Sequence, residues 1–195
     1  MRNNSVPHNG RKMVHENVKD ISDLYPLIKQ KDETAIKEFF LLMQPQIFHF
    51  LFRYTSIREA AEDLTQESFI KFWLAIDRLD SNQSYKAYLF KIARNLAINH
   101  SNRKIPMLSY NDENTLVRLY ENFTSDIETS FLIDDFQKAI NSLPERCKAT
   151  FLLSRFSSFS YSEISEIMDV SLQTVKNQMN KALAVLRKRL INYLD

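Results

Sequence analysis

One glycine, Gly10, occurs in 195 residues. That scarcity excludes more than any single motif adds. Loops that cradle phosphates and turns that hold dinucleotides need several glycines, because the backbone approaches the ligand where a Cβ would collide. Neither can be built here. Proline is sparse too, and clusters of turn residues that would bound strands are few. The chain therefore reads as all-α. Cys147 is the only cysteine, which forbids an intrachain disulfide and suits a reducing compartment. His8, His15, His49 and His100 are scattered without metal-ligand spacing. No catalytic residue, metal or cofactor is expected. No apolar run is long enough to span a membrane, and the N-terminus lacks a signal-peptide core, so a cytoplasmic protein is expected.

Periodicity divides the chain. Residues 1–18 are polar and aperiodic and read as a mobile tail. Helical blocks follow at 19–104 and 131–195. Residues 105–130 lean acidic (Asp112, Glu113, Glu121, Asp126 and Glu128 against Arg118) and read as a linker, with room for a short helix around Asn114–Asn122. In the first block Ile36, Phe39, Phe40 and Met43 form one apolar stripe, Pro45 ends or kinks that helix, and Ile47, Phe48, Leu51 and Phe52 resume the stripe. Ser56 followed by Glu59 predicts a capping box and a helix start, with Ala61, Leu64, Ser68, Phe72 and Ala75 facing the core. The next helix follows Ser84 as cap and buries Leu89, Ile92, Ala93, Leu96 and Ala97. In the second block "FLIDDFQKAINSL" is one helix, and "LPERCKATFLLSRF" is another with Pro144 in its first turn.

The most informative stretch is "SYSEISEIMDVSLQTVKNQMNKALAVLRKRL", Ser160–Leu190. Ser160 and Glu163 predict a capping box, and Ile164 and Met168 continue a helix from Tyr161. Three residues later a second helix starts, with Ser171 as its N-cap. Leu172, Val175, Met179, Leu183, Leu186 and Leu190 form its apolar stripe. Gln173, Thr174, Lys176, Asn177, Asn180 and Lys181 occupy the other side and suit base edges and phosphates. The short break lets two apolar stripes meet at a steep angle, which pushes the second helix outward toward a major groove. Asp169 stands where such turns favour glycine and is expected to take the left-handed conformation. Spacing alone also fits an αα-hairpin with a solvated polar face.

Charge is unevenly spread, although the net is only +2. No acid occurs between Ser81 and Asn111, where Lys86, Lys91, Arg94, Arg103 and Lys104 lie among Tyr85, Tyr88 and Phe90. Lys91, Asn95 and Asn99 are four apart and share a helix face. Cations beside aromatics can hold a phosphate backbone and stack unpaired bases. Upstream, Glu59, Glu62, Asp63, Gln66 and Glu67 form a polar acidic face that suits a basic protein partner better than DNA.

These segments together resemble a known family. "AAEDLTQESFIKFW" and "SYKAYLFKIARNLAINHSNRK" resemble regions 2.2 to 2.4 of extracytoplasmic-function (ECF) sigma factors of the sigma-70 family, and "LPERCKATFLLSRF" with the Ser160 stretch resembles their region 4. The resemblance covers about Thr34–Lys104 and Phe131–Leu190. It implies two small helical domains, a region 2 bundle and a region 4 helix-turn-helix, joined by a flexible linker. It implies that Asp63, Gln66 and Glu67, with Leu64 and Phe69, dock on the clamp helices of the RNA polymerase β′ subunit. Tyr88, Lys91, Arg94, Asn95 and Asn99 would open and read the −10 element of promoter DNA, and Gln173, Thr174, Lys176, Asn177, Asn180 and Lys181 the −35 element. Region 4 would also pack on the β flap, and an anti-sigma protein is a possible further partner. Ser158 and Asp169 stand where the family often has glycine, Tyr88 where it has tryptophan, Asn99 where it has aspartate, and Cys147 where a polar residue is usual. The expected function is a non-enzymatic promoter-specificity subunit. The rival is a stand-alone helix-turn-helix regulator of duplex operators, which leaves the Glu59–Phe69 face unexplained.

Overall fold

The computed structural model describes residues 20–80, 83–102 and 127–191, with side chains excluded at 127–133. The tail at 1–18, the candidate helix at 114–122 and the basic pair Arg103 and Lys104 lie outside the described residues. Among those described, all regular structure is helical. A 3-10 turn at Ile21–Leu24, closed by a capping box between Asp20 and Asp23, leads into α1, Tyr25–Lys29. Lys29 Nζ then donates to the carbonyls of Ile76, Asp77 and Leu79 at 3.3, 2.9 and 2.5 Å. Carbonyls at a helix end lack internal donors and favour a cation, so this one ammonium fastens the start of the fold to the turn after α3.

The long α2, Glu33–Thr55, is capped by Asp32, whose carboxylate accepts from Ala35 N–H at 2.8 Å. Pro45 does not end it; the helix runs through. Pro45 lies on the exposed side next to Leu41, whose carbonyl loses its usual donor where solvent can reach it. Next come α3, Arg58–Ala75, and α4, Tyr85–Asn102, which pack on α2 and on each other. Ser84 caps α4 by accepting from Ala87 N–H at 3.1 Å, as its position predicts.

The predicted Ser56–Glu59 box does not form. Ser56 instead ends α2 in the left-handed region, φ 61, and Ile57 becomes the N-cap of α3 without a side-chain bond. The reason is non-local: the Ser56 hydroxyl is held by Asn141 Nδ2 at 2.8 Å and Gln137 Nε2 at 3.1 Å from the second half.

That second half comprises α5, Ile127–Asn141, α6, Glu145–Phe156, α7, Tyr161–Met168, and α8, Leu172–Arg189. Pro144 sits at the N-cap of α6, one position outside the expected first turn. From Cys147 to Leu153 every residue of α6 is buried, the signature of a helix enclosed by neighbours. The apolar core is continuous across both halves. Phe50 of α2 meets Phe90 of α4 edge-on at 5.6 Å, and Phe90 meets Phe159, between α6 and α7, edge-on at 4.9 Å. Such pairs contribute about 0.5–1.5 kcal/mol beyond the burial of their area.

Candidate nucleic-acid interfaces and docking surface

The turn between α7 and α8 follows from local chemistry. Ser160 and Glu163 bond reciprocally at the start of α7: Glu163 N–H donates to Ser160 Oγ at 3.3 Å, and Ser160 N–H to Glu163 Oε2 at 2.8 Å. At the other end Asp169 is left-handed, φ 57 and ψ 50. Its N–H donates to the Glu166 carbonyl and that of Val170 to the Ser165 carbonyl, at 3.3 and 3.0 Å. Those two bonds are a Schellman closure. Ser171 is then extended and accepts from Thr174 N–H at 3.1 Å, starting α8. The three break residues thus divide the turn between them. Asp169 reverses the chain, Val170 closes the first helix, and Ser171 caps the second.

On α8, Gln173, Lys176, Asn177, Asn180 and Lys181 are exposed and Thr174 is half-buried, its hydroxyl 2.9 Å from Ser171 Oγ. Gln173 Nε2 donates to Asn177 Oδ1 at 3.0 Å, so these two side chains orient each other across one turn. The buried stripe is Val175, Met179, Ala182 and Leu186. Leu172 and Leu183, predicted to join it, are 43% and 37% exposed, because α8 is rotated so that the small Ala182 meets the core.

The five predicted −10 residues do not share one face of α4. Tyr88, Lys91, Asn95 and Asn99 recur at three- and four-residue spacing on the outward side, with the two asparagines exposed. Tyr88 is half-buried against Phe72 at 6.4 Å. Arg94 points elsewhere. Its Nη2 donates at 2.5 Å to the Ile167 carbonyl, at the C-terminal end of α7. Burial, then neighbouring Arg146, lowers its pKa, while Asp169 favours its charge. A helix C-terminus and a carboxylate are what a partly desolvated guanidinium seeks.

The α3 face carries Glu59, Glu62, Asp63, Gln66 and Glu67 in the open, as predicted. Glu62 pairs with Arg58 at 2.8 Å and Glu67 with Lys71 at 3.2 Å, both exposed pairs worth little in stability. Leu64 is only 8% exposed, so it supports this surface from beneath instead of presenting a contact. Phe69 is half-buried and its ring lies 4.6 Å from that of Phe40. Here sequence reasoning missed something. Phe40, assigned to the core, is 45% exposed, and Ile70, Trp73 and Leu74 are 60%, 43% and 74% exposed. They line an apolar groove of about 600 Å³ between α2 and α3, floored by Ile28 and Ile36. The available signal was that α3 carries apolar residues on the side opposite its core stripe.

Comparison with known proteins fits both halves. Residues 39–104 match the family model for sigma-70 region 2, and residues 133–186 that for sigma-70 region 4. The chain belongs to the sigma-70 family. It is an RNA polymerase sigma factor of the ECF type. The chain is 26% identical over 173 residues to the ECF sigma factor SigW of Bacillus subtilis, covering 84% of this chain and 92% of SigW. It is 27% identical over 173 residues to the ECF sigma-E factor of Haemophilus influenzae, covering 84% and 91%. In fold it is similar to the sigma factor RpoE solved with the anti-sigma factor NepR from Bartonella quintana, with TM-score 0.60, 24% identity, and 80% and 96% of the two chains covered. It is also similar in fold to CnrH solved with the cytosolic domain of CnrY, with TM-score 0.67, 16% identity, and 89% and 99% covered. Region 2 thus corresponds to α2–α4, and region 4 to α5–α8. Among the described residues of this sigma factor no group of side chains could hold a metal ion, and no helix is long and apolar enough to cross a membrane.

Between region 2 and region 4 lies a polar joint. Tyr54 of α2 donates its hydroxyl to Glu145 Oε2, and Ser101 of α4 donates to Glu145 Oε1 at 2.6 Å. Beside them Lys148 of α6 donates to Asn141 Oδ1 at 2.8 Å and lies 4.9 Å from the Tyr54 ring centre. Burial pulls the Lys148 pKa down to about 8, against the pull of Glu145. Burial, then the bond to Glu145, pushes that of Tyr54 upward.

Proposed function

We propose that this sigma factor binds core RNA polymerase through the α3 face and reads promoter DNA with two separate helices. Asp63, Gln66 and Glu67 form the polar part of the docking surface, and Phe69 its apolar edge. Tyr88, Lys91, Asn95 and Asn99 meet the −10 element, with Arg94 joining once freed from α7. Gln173, Thr174, Lys176, Asn177, Asn180 and Lys181 meet the −35 element. The observation that supports this division is chemical separation: one anionic face lies on α3, while α8 carries exposed amides and lysines and no acid from Lys176 to Leu190. Cations and amides suit phosphates and base edges, and carboxylates repel them. Two linked DNA contacts raise each other's effective concentration, so each can be weak alone. Unstacking −10 bases costs a few kcal/mol each, which backbone contacts and a pocket for an extruded base offset.

The chain acts in the cytoplasm, without catalytic chemistry of its own. An anti-sigma protein, such as RpoE has in NepR, is a further partner. The test is initiation mapping with purified core polymerase over a library of promoter fragments. Adding the chain is expected to create new start sites, and Asp63→Ala with Gln66→Ala to abolish co-purification with core. Start sites that do not change would reject the reading, and tight duplex binding without polymerase would favour a stand-alone regulator.

A further inference from the structure

Two leucines of α8 are left in the open. Burial alone would favour covering Leu172 and Leu183 together with Val175, Met179 and Leu186, the stripe that their spacing describes. At about 100° per residue, that stripe and the observed one are centred roughly 30° apart around the helix. The helix is thus rolled away from its two leucines. The roll brings the opposite flank inward: Thr174, Gln178 and Val185, at four- and seven-residue spacing, are all half-buried.

An interaction on that flank has to oppose the apolar preference, and a bond of the right kind is present. Thr150 of α6 is fully buried, and its Oγ1 donates to Gln178 Oε1 at 2.6 Å. A buried hydroxyl left without a partner is costly, so this bond favours the one roll of α8 that permits it. It joins residues 28 positions apart, across two helices that pack directly on each other. Rolling α8 back by roughly 30° would swing Gln178 outward by roughly 3 Å, on a helix of about 5–6 Å radius. That displacement is as large as the bond itself. Gln173, Asn177 and Asn180 would move by the same amount, and hydrogen bonds to base edges do not survive such a shift.

We propose that Thr150 and Gln178 are positioning residues: their bond pins the roll of α8 and so selects which of its side chains face the bases of the −35 element. The effect on base choice rests on the −35 reading proposed above, but the pin itself does not. The experiment first follows thiol labelling at two sites in the full chain, without polymerase or DNA. Lys176→Cys lies on the leucine flank and is exposed, Val185→Cys lies on the Gln178 flank and is half-buried, and native Cys147 is buried. Thr150→Val keeps the side-chain shape and removes the hydroxyl. It is expected to slow labelling at Lys176→Cys about threefold and to speed labelling at Val185→Cys by a similar factor, since exposure sets the rate. Opposite changes identify a roll, because loosening or unfolding speeds both. Thr150→Ser restores a hydroxyl and should return both rates to those of the parent. Gln178→Ala removes the acceptor from a half-buried position and should reproduce the roll, which answers the question even if Thr150→Val fails to fold. In holoenzyme, Thr150→Val should lower the preference for an intact −35 element over a mutated one about tenfold, and Thr150→Ser should keep it. Rates unchanged at both sites, or raised at both, would overturn the pin. Opposite rate changes with an unaltered −35 preference would overturn the positioning role. A parent with no −35 preference, whose two rates still move apart, refutes the −35 reading and leaves the pin standing.

Discussion

The two helices proposed to face DNA differ in how far they are free to act. On α8 the predicted polar face is turned to solvent, with its apolar stripe sunk in region 4. On α4 the cations are divided: Lys91 faces outward, while Lys86 and Arg94 are engaged by region 4. The proposed −35 reader is therefore complete within its own half, and the proposed −10 reader is not. A helix that serves both as a packing surface and as a recognition surface can be controlled by whatever packs on it.

The most severe way to break this contrast is to remove the aromatic under it. Phe159→Ala deletes a ring packed on Phe90 and Lys86 and should cost about 3–5 kcal/mol, read as a lower urea midpoint. The equivalent truncation on α8, at exposed Leu183, should cost far less. Next in size is the buried amine of the joint. Lys148 has a folded pKa of about 8 against 10.5 for the free side chain. Between those values the unfolded chain binds more protons, so stability should rise with pH by an amount on the order of 2 kcal/mol. Above about pH 10 Tyr54 should reverse the trend, since the folded state then holds its proton more tightly than the unfolded state. Lys148→Met should flatten the rise in denaturation curves taken from pH 7 to 10.

Smaller changes sharpen the contrast at the DNA. Asn177→Ala should lower specific −35 binding by about 1–3 kcal/mol in holoenzyme, measured against a mutated element. Lys176→Ala should weaken binding to all sequences and reduce the salt slope by about one. Smallest of all, Ser158→Gly relieves a left-handed residue at φ 57 and should raise stability by less than about 1 kcal/mol, with no effect on either reader.

What could be read in advance follows the range of the interactions. The turn from Asp169 to Ser171 was legible because its bonds join residues within five positions of one another. The left-handed Asp169 could be anticipated because little else permits so tight a reversal without glycine. The Ser56 cap failed for the opposite reason: its hydroxyl is claimed by residues more than 80 positions away. Arg94 has the right spacing for a basic face, and only the packing of α7 reveals that it points off that face. Phe40 looked like core because its apolar neighbours share its stripe, yet the fold leaves it open beside Phe69. Pro45 was tolerated because the backbone it disturbs is on the solvent side.

Trp73 is the chain's sole tryptophan, and it stands 43% exposed at the mouth of the groove next to the α3 acids. Its indole is thus a built-in optical reporter. Any body that seats on that side of region 2 will dry the ring, shift its emission to shorter wavelength and shield it from iodide. On the docking proposed above, arrival at the polymerase can be timed in a stopped-flow cell without attaching a dye.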